Sequence, residues 1–415
     1  MSIAGKQVLF ISYNGMLEPL GQSQVIPYLK ELSRLGTRFT LLSYEREQAY
    51  SPAGRQECDN LRLELSAAGI EWVRLRYHKT PSLPATAYDV VAGIRQVRRL
   101  IRQKRIDMVH ARSHIPATIA VRIKRQFGVK MIFDVRGLMA DEYVDADHWQ
   151  KDSLAYRITK RAERQALRTA DGIVTLTERI WPTIKDWIGG ANHPAHEVVP
   201  CCADLEKFNF NLHQRTHRRN ELGVEDRFVI VYSGSIGGWY LTEAMADFFA
   251  FVRKQNPRSF FLWLTLSQSE RVNRLMEARG ISKEDYAIVG VPSRDVPSYL
   301  SASDAGLAFI KPCFSKLASS PTKFAEFLAC GLPLITNSGI GDSDSLVNDE
   351  RVGALVQNFS EQEYLTAVRA VEKLTAEPER IRRRTRRVAE RLFDVRRVGV
   401  ERYARLYENV LGADN

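Results

Sequence analysis

Short runs rich in valine, isoleucine, leucine and phenylalanine recur along this chain, and the stretches between them are long enough for helices and carry helical apolar spacing. That alternation marks parallel sheets with helical crossovers, because parallel neighbours cannot be joined by a tight turn. Strands are predicted at residues 8–13, 39–43, 70–75, 108–111, 130–135, 172–176 and 197–200. The pattern lapses over the polar, cysteine-containing and basic stretch 200–217, where a linker is expected, and then resumes at 228–232, 260–265, 287–289, 306–309, 333–336 and 354–356. A helix is expected from near Ser23 to Leu35, stopped by Gly36. The chain closes with an arginine-rich helix at 378–392 and an amphipathic one at 399–411. At 415 residues it exceeds one core, so two α/β domains are expected, Rossmann-like, doubly wound and facing a cleft.

Composition excludes several classes. Hydrophobic residues at 44% and charged residues at 26% suit a globular protein rather than a disordered or fibrous one. The opening MSIAGKQVLFISYN has too short an apolar run for a secretory signal, and no stretch is long enough to span a bilayer, so a cytoplasmic location is expected. Five cysteines without C-x-x-C spacing argue against a disulfide framework or a zinc site. The net charge of +11 points to acidic partners. Between residues 90 and 105, Val90, Val91, Ile94, Val97 and Ile101 interleave with Arg95, Arg98, Arg99, Arg102 and Arg105. This helix either covers a sheet with a solvated arginine face or rests peripherally on an anionic membrane surface. The arginine run 380–391 lacks interleaved aromatics, so no nucleic-acid partner is expected.

The most specific segment is S-S-P-T-K-F-A-E-F-L-A-C-G-L-P-L-I, residues 319–335. Ser319 or Ser320 is expected to cap a helix, with Pro321 in its first turn and Gly331 ending it. A helix start offers free N–H groups and a positive dipole end to a diphosphate. Thr322 and Glu326 share one face, so phosphate can sit at the tip while the Glu326 carboxylate accepts hydrogen bonds from a vicinal diol such as ribose. The loop Y-S-G-S-I-G-G-W-Y, residues 232–240, either lets backbone at Gly234 and Ser235 approach a diphosphate or is a plain structural turn. F-D-V-R-G-L-M-A-D-E, residues 133–142, is expected to put Asp134, Arg136, Asp141 and Glu142 into a loop after a strand. His110 reads as a packed or capping histidine rather than a catalyst.

The segment 319–335 resembles the donor-binding motif of the retaining glycosyltransferase family four, of GT-B architecture and bacterial surface-polysaccharide type. Glu326 corresponds to the second acid of that family's E-x7-E pattern, while the first falls at Ala318, which has no carboxylate. The resemblance extends to G-Q-S-Q at residues 21–24, with Gln22 in place of the family's second glycine, to a hinge-like stretch at 199–208, and to V-G-V-P around Val291 in the region lining the base pocket. It implies a first domain at 1–205, a nucleotide-sugar domain at 206–392, and a helix at 393–415 returning to the first domain. It implies transfer of a sugar, with retention and without metal or other cofactor, from a UDP- or GDP-type donor to a glycan or polyprenyl-linked acceptor. Donor-binding residues would be Gly21, Gln22, Gly234, Ser235, Val291, Lys316, Ser319, Ser320, Thr322 and Glu326. The family's arginine and lysine after the glycine loop are absent here, so Lys323 and Lys316, flanking the helix start, become the expected cations. Asp134 stands about where the family often has a histidine near the sugar, which would place it and Arg136 on the catalytic side; an internal Asp–Arg ion pair is the alternative. D-S-D at 342–344 is expected to cap a helix rather than bind metal. Two rivals remain: a sugar-nucleotide epimerase of the same architecture and a non-catalytic regulator. A dehydrogenase is disfavoured because no G-x-G-x-x-G follows the first strand of either half.

Overall fold

The structure is a computed structural model and describes residues 3–80, 82–190, 193–266 and 268–412. By contacts it divides into one unit of Met1–Pro200 with Val395–Asn415 and a second of Cys201–Asp394. The boundaries thus fall at Pro200 and Asp394, near the expected 205 and 392.

Among the described residues of the first unit seven strands form one parallel sheet: β1 (Gln7–Ser12), β2 (Arg38–Glu45), β3 (Ile70–Arg76), β4 (Met108–Arg112), β5 (Lys130–Asp134), β6 (Gly172–Thr175) and β7 (Ala195–Val198). Their order is β3-β2-β1-β4-β5-β6-β7. The second unit has six parallel strands: β8 (Phe228–Ser233), β9 (Ser259–Leu264), β10 (Tyr286–Val289), β11 (Ala305–Ala308), β12 (Leu334–Asn337) and β13 (Gly353–Val356), in the order β10-β9-β8-β11-β12-β13. Nearly every residue of β1, β4, β9 and β11 is buried, as expected of strands covered on both faces. In each sheet the strand order reverses between the first strand and the fourth, β1 beside β4 and β8 beside β11. Crevices beyond the carboxyl ends of such strand pairs are where open α/β sheets bind ligands.

The closing helix, Glu401–Gly412, packs on β6 and β7 of the first unit. Gly172 makes room for it, since a Cβ there would lie 2.7 Å from Val410 and 3.2 Å from Leu406. The arginine-rich helix is Pro378–Leu392, where it was expected. Two local expectations need correction. The helix expected from Ser23 begins at Pro19 and breaks at Val25 into Pro19–Gln24 and Ile26–Arg34, because Pro27 sits in the first turn of the second piece and cannot continue the first. In the helix Ser82–Gln103 the buried residues include Val97 and Leu100, whereas Val91 is exposed.

Candidate functional site

The loops after β8 and β11 are laced together. Leu241 donates its N–H to the Phe309 carbonyl at 2.9 Å, Lys311 donates to the Trp239 carbonyl at 2.8 Å, and Tyr240 forms a bridge with Ile310. The chain then passes through a turn of 3-10 helix, Phe314–Ala318, into the helix Thr322–Ala329, which runs back along the sheet and so starts at the carboxyl end. Gly234 takes φ +142°, open to glycine and strained for other residues, at the end of β8.

Lys323 is the centre of this arrangement. Its side chain is buried, and Nζ lies 4.2 Å from the ring centroid of Tyr232 and 3.6 Å from that of Tyr240. A Cβ at Gly234 would come within 2.7 Å of this Nζ, so the ammonium reaches the glycine loop itself. It has no hydrogen-bond partner among the described residues. Burial lowers it to about 7, opposed by the carboxylate of Glu326. One turn on, Glu326 is half-buried and has no ion pair or side-chain hydrogen bond among the described residues; burial raises its carboxyl to about 7 against the pull of Lys323 and Lys207. A buried cation and a carboxyl, both unpaired, flank a helix start that faces a glycine turn. Tyrosine rings can hold such a cation only in part, and an anionic oxygen would complete its shell.

The other expected donor residues are placed as follows. Ser320 does not cap the helix: Pro321 is the N-cap position, no side chain caps it, and the Ser320 hydroxyl instead accepts from the Cys201 N–H at 3.1 Å. Ser319 caps nothing either, its N–H being given to the Lys316 carbonyl at 3.1 Å. Thr322 is the first helical residue and Ser235 lies exposed beyond Gly234. Lys316 is buried with Nζ 3.8 Å from the Trp239 ring centroid, so it braces the glycine loop from beneath. Val291 is half-buried beyond β10. Ala318 is buried, and Asp344 does not cap its helix but accepts from the Gly339 N–H at 3.1 Å. The sequence reading missed Tyr232 and Tyr240 as the walls around Lys323; the signal was the pair of tyrosines that bracket the glycine loop.

In the first unit Asp134 is corrected from a loop residue to the last residue of β5, buried, with both oxygens engaged. Tyr403 donates to it at 2.9 Å, His110 Nε2 lies at 3.5 Å and Arg136 at 3.4 Å. Burial pushes its carboxyl up, but Arg136, then His110 and Arg112, outweigh this and hold it well below the ordinary range. Asp141 and Glu142 are likewise helical, within Met139–Asp145. His110 is buried, its Nδ1 2.8 Å from the Tyr407 hydroxyl, and burial lowers it. This geometry matches the internal Asp–Arg ion pair given above as the alternative, extended by His110 and Tyr403. Arg136 also reaches Gln24 at 3.5 Å. Gly21 is required by backbone packing, a Cβ there meeting the Gly15 carbonyl oxygen at 2.3 Å, and Gln22 donates its amide to the Met16 carbonyl at 2.7 Å, closing its own loop.

Two Rossmann-like parallel sheets of this connectivity define the GT-B fold, and comparison with solved structures agrees. Sucrose-phosphate synthase from Thermosynechococcus elongatus superposes with a TM-score of 0.75 at 14% identity, over 99% of this chain and 100% of that one. HepE of Anabaena, solved in complex with UDP-glucose, superposes with a TM-score of 0.69 at 15% identity, over 96% and 99%. Residues 24–202 match the family described as Glycosyl transferase 4-like domain, and residues 214–388 match Glycosyl transferases group 1. D-inositol 3-phosphate glycosyltransferase of Pseudarthrobacter chlorophenolicus is 21% identical over 299 residues, 70% of this chain and 68% of that one. The chain belongs to the family-four type of GT-B glycosyltransferases, and it is an enzyme of that activity.

Proposed function

We propose that this enzyme transfers a sugar from a nucleoside-diphosphate donor to a hydroxyl of a glycan or lipid-linked acceptor, with retention and without metal. The observation that carries the reading is Lys323: a buried amine without a hydrogen-bond partner among the described residues, pointed at a glycine turn beside a helix start. The leaving diphosphate would take Lys323 as counter-charge and the N–H groups at Thr322 and Lys323 as donors, an arrangement that stabilises charge as it develops. Glu326, one turn along the same face, would hold the ribose hydroxyls. The UDP-glucose bound by HepE, a protein of the same fold, supports a uridine donor as the first to try.

The exposed faces of two helices support a peripheral position on an anionic membrane. Leu154 and Ile158 are exposed beside Arg157, Arg161, Arg164 and Arg168 on Leu154–Thr169, and Arg95, Arg99 and Arg102 are exposed on Ser82–Gln103. No helix among the described residues is long and apolar enough to cross a membrane.

The test is calorimetric titration of UDP-glucose and GDP-mannose into wild type, Lys323→Ala and Glu326→Ala, with labelled-sugar transfer measured alongside in EDTA. Each substitution should weaken donor binding and cut transfer, with EDTA harmless. Donor affinity and turnover unchanged in both variants would remove the site.

A further inference from the structure

The carboxyl edge of β1, β2 and β3 carries a polar cluster that donor chemistry leaves unused. Asp89, on the helix Ser82–Gln103, is fully buried, and three donors converge on its carboxylate. The Tyr13 hydroxyl donates at 2.8 Å, the His78 backbone N–H at 3.1 Å, and His78 Nδ1 lies at 2.6 Å. A carboxylate can only accept, so Nδ1 carries a proton, and in the neutral ring Nε2 is then the acceptor. The imidazole is 39% exposed and Nε2 has no protein partner among the described residues.

The surrounding fold fixes this pair in place. Tyr44 donates its hydroxyl to the Asp89 carbonyl at 2.8 Å, and it fits only because residue 93 is glycine, where a Cβ would lie 2.1 Å from that hydroxyl. Tyr13 packs edge-on against Tyr44 and Tyr77, with ring centroids 4.9 and 5.3 Å away. Tyr88 stands edge-on to His78 at 5.0 Å and is 58% exposed. Tyr13 follows β1, one of the two strands at which the first sheet reverses its order, so the cluster borders the place where such a sheet takes a ligand. A structural brace alone would require Asp89 and the His78 amide; it gives no reason for a half-open imidazole beside an exposed tyrosine.

We infer that His78 and Tyr88 form an acceptor site for a ring polyol, a sugar or cyclitol, in which Nε2 of His78 accepts a hydrogen bond from an acceptor hydroxyl and the Tyr88 ring covers the ring's C–H face. Asp89 is the positioning residue that sets the tautomer and aims the imidazole. This rests on the glycosyltransferase reading above and names its acceptor side.

The test uses the whole chain with histidine side chains ¹³C-labelled, the His78 signal being identified by its loss in His78→Gln. With UDP present, the protein is titrated separately with myo-inositol, methyl α-glucopyranoside, methyl α-mannopyranoside and N-acetylglucosamine. At least one should move the His78 signal saturably. With that polyol as acceptor, His78→Gln and Asp89→Asn should each raise the acceptor KM by about tenfold or more, as the loss of an aimed hydrogen bond implies. Donor affinity and donor hydrolysis should stay within about twofold in His78→Gln. The inference is overturned if none of the polyols moves the His78 signal, if the acceptor KM is unchanged, or if donor affinity falls in step with transfer. The donor reading fails by a different result, namely donor affinity surviving Glu326→Ala.

Discussion

The two units each bury a cluster of charged and polar groups at the carboxyl end of a sheet, and the clusters differ in one respect. Around Asp134 the carboxylate is answered: Tyr403, His110 and Arg136 meet its two oxygens, and Tyr407 meets the far side of His110. Around Lys323, which is buried, and Glu326, which is half-buried, neither charge meets a hydrogen-bonding partner among the described residues. Burying an unpaired ionisable group is unfavourable, so a chain keeps one where something other than stability requires it. A satisfied network therefore reads as architecture, and an unsatisfied one as a place for a ligand.

That contrast can be broken most forcefully at Asp134. Asp134→Ala leaves Arg136 and the Tyr403 hydroxyl buried without their acceptor and should cost about 3–5 kcal/mol in urea unfolding while donor affinity is kept. A large loss of donor affinity with little loss of stability would reverse the assignment. Because Asp134 is held below its unfolded value, its contribution is complete at neutral pH and fades as pH falls below about 4. Asp134→Asn should flatten that acid limb of the stability profile.

Lys323→Ala should lower turnover by about 10²–10³-fold, the effect of removing one aimed donor from a developing oxyanion. Steady-state kinetics with the calorimetrically defined donor will show whether it does. Lys323→Met should act oppositely on stability. Lys323 titrates near 7 rather than 10.5, so at neutral pH the unfolded chain binds a proton that the folded one resists, and burial of this amine destabilises the fold. Replacing it with methionine should raise the melting midpoint by about 2–4 °C for each kcal/mol recovered. A lowered midpoint would mean that the tyrosine rings already satisfy the ammonium.

The smallest effect is a proton linkage. At pH 8 most Lys323 is neutral in the empty protein, and a bound diphosphate should draw a proton onto it; at pH 6 most Glu326 is protonated, and ribose binding should drive that proton off. Donor titrations in buffers of different ionisation enthalpy should show net proton uptake on the alkaline side and net release on the acid side. The same sign at both would show that only one of the two residues meets the donor.

The strands were legible because each is a short apolar run that the sheet buries on both faces, so that β8 and β11 could be placed almost to the residue. β7 lies two residues earlier than expected, since only Val198 of it is buried and the apolar signal continues beyond it. The helix Thr322–Ala329 and the place of Glu326 on it were legible from spacing along a single helix. What lay hidden depends on partners distant in the chain. Tyr403 reaches Asp134 across 269 positions, and Cys201 takes the Ser320 hydroxyl across 119, which is why Ser320 looked like a cap and Asp134 stood open between a cleft acid and an internal ion pair. The tyrosine pair around Lys323 comes from the end of β8 and the loop after it, and His78 carried no signal because its partner Asp89 sits on a different element.

A crystal structure of the enzyme with UDP-glucose, or with GDP-mannose should that bind instead, tests the central claim most directly. We expect Lys323 Nζ to have a diphosphate oxygen within about 3 Å and Glu326 to accept from the ribose hydroxyls. A nucleotide bound elsewhere, with Lys323 still enclosed by Tyr232 and Tyr240 alone, would contradict it.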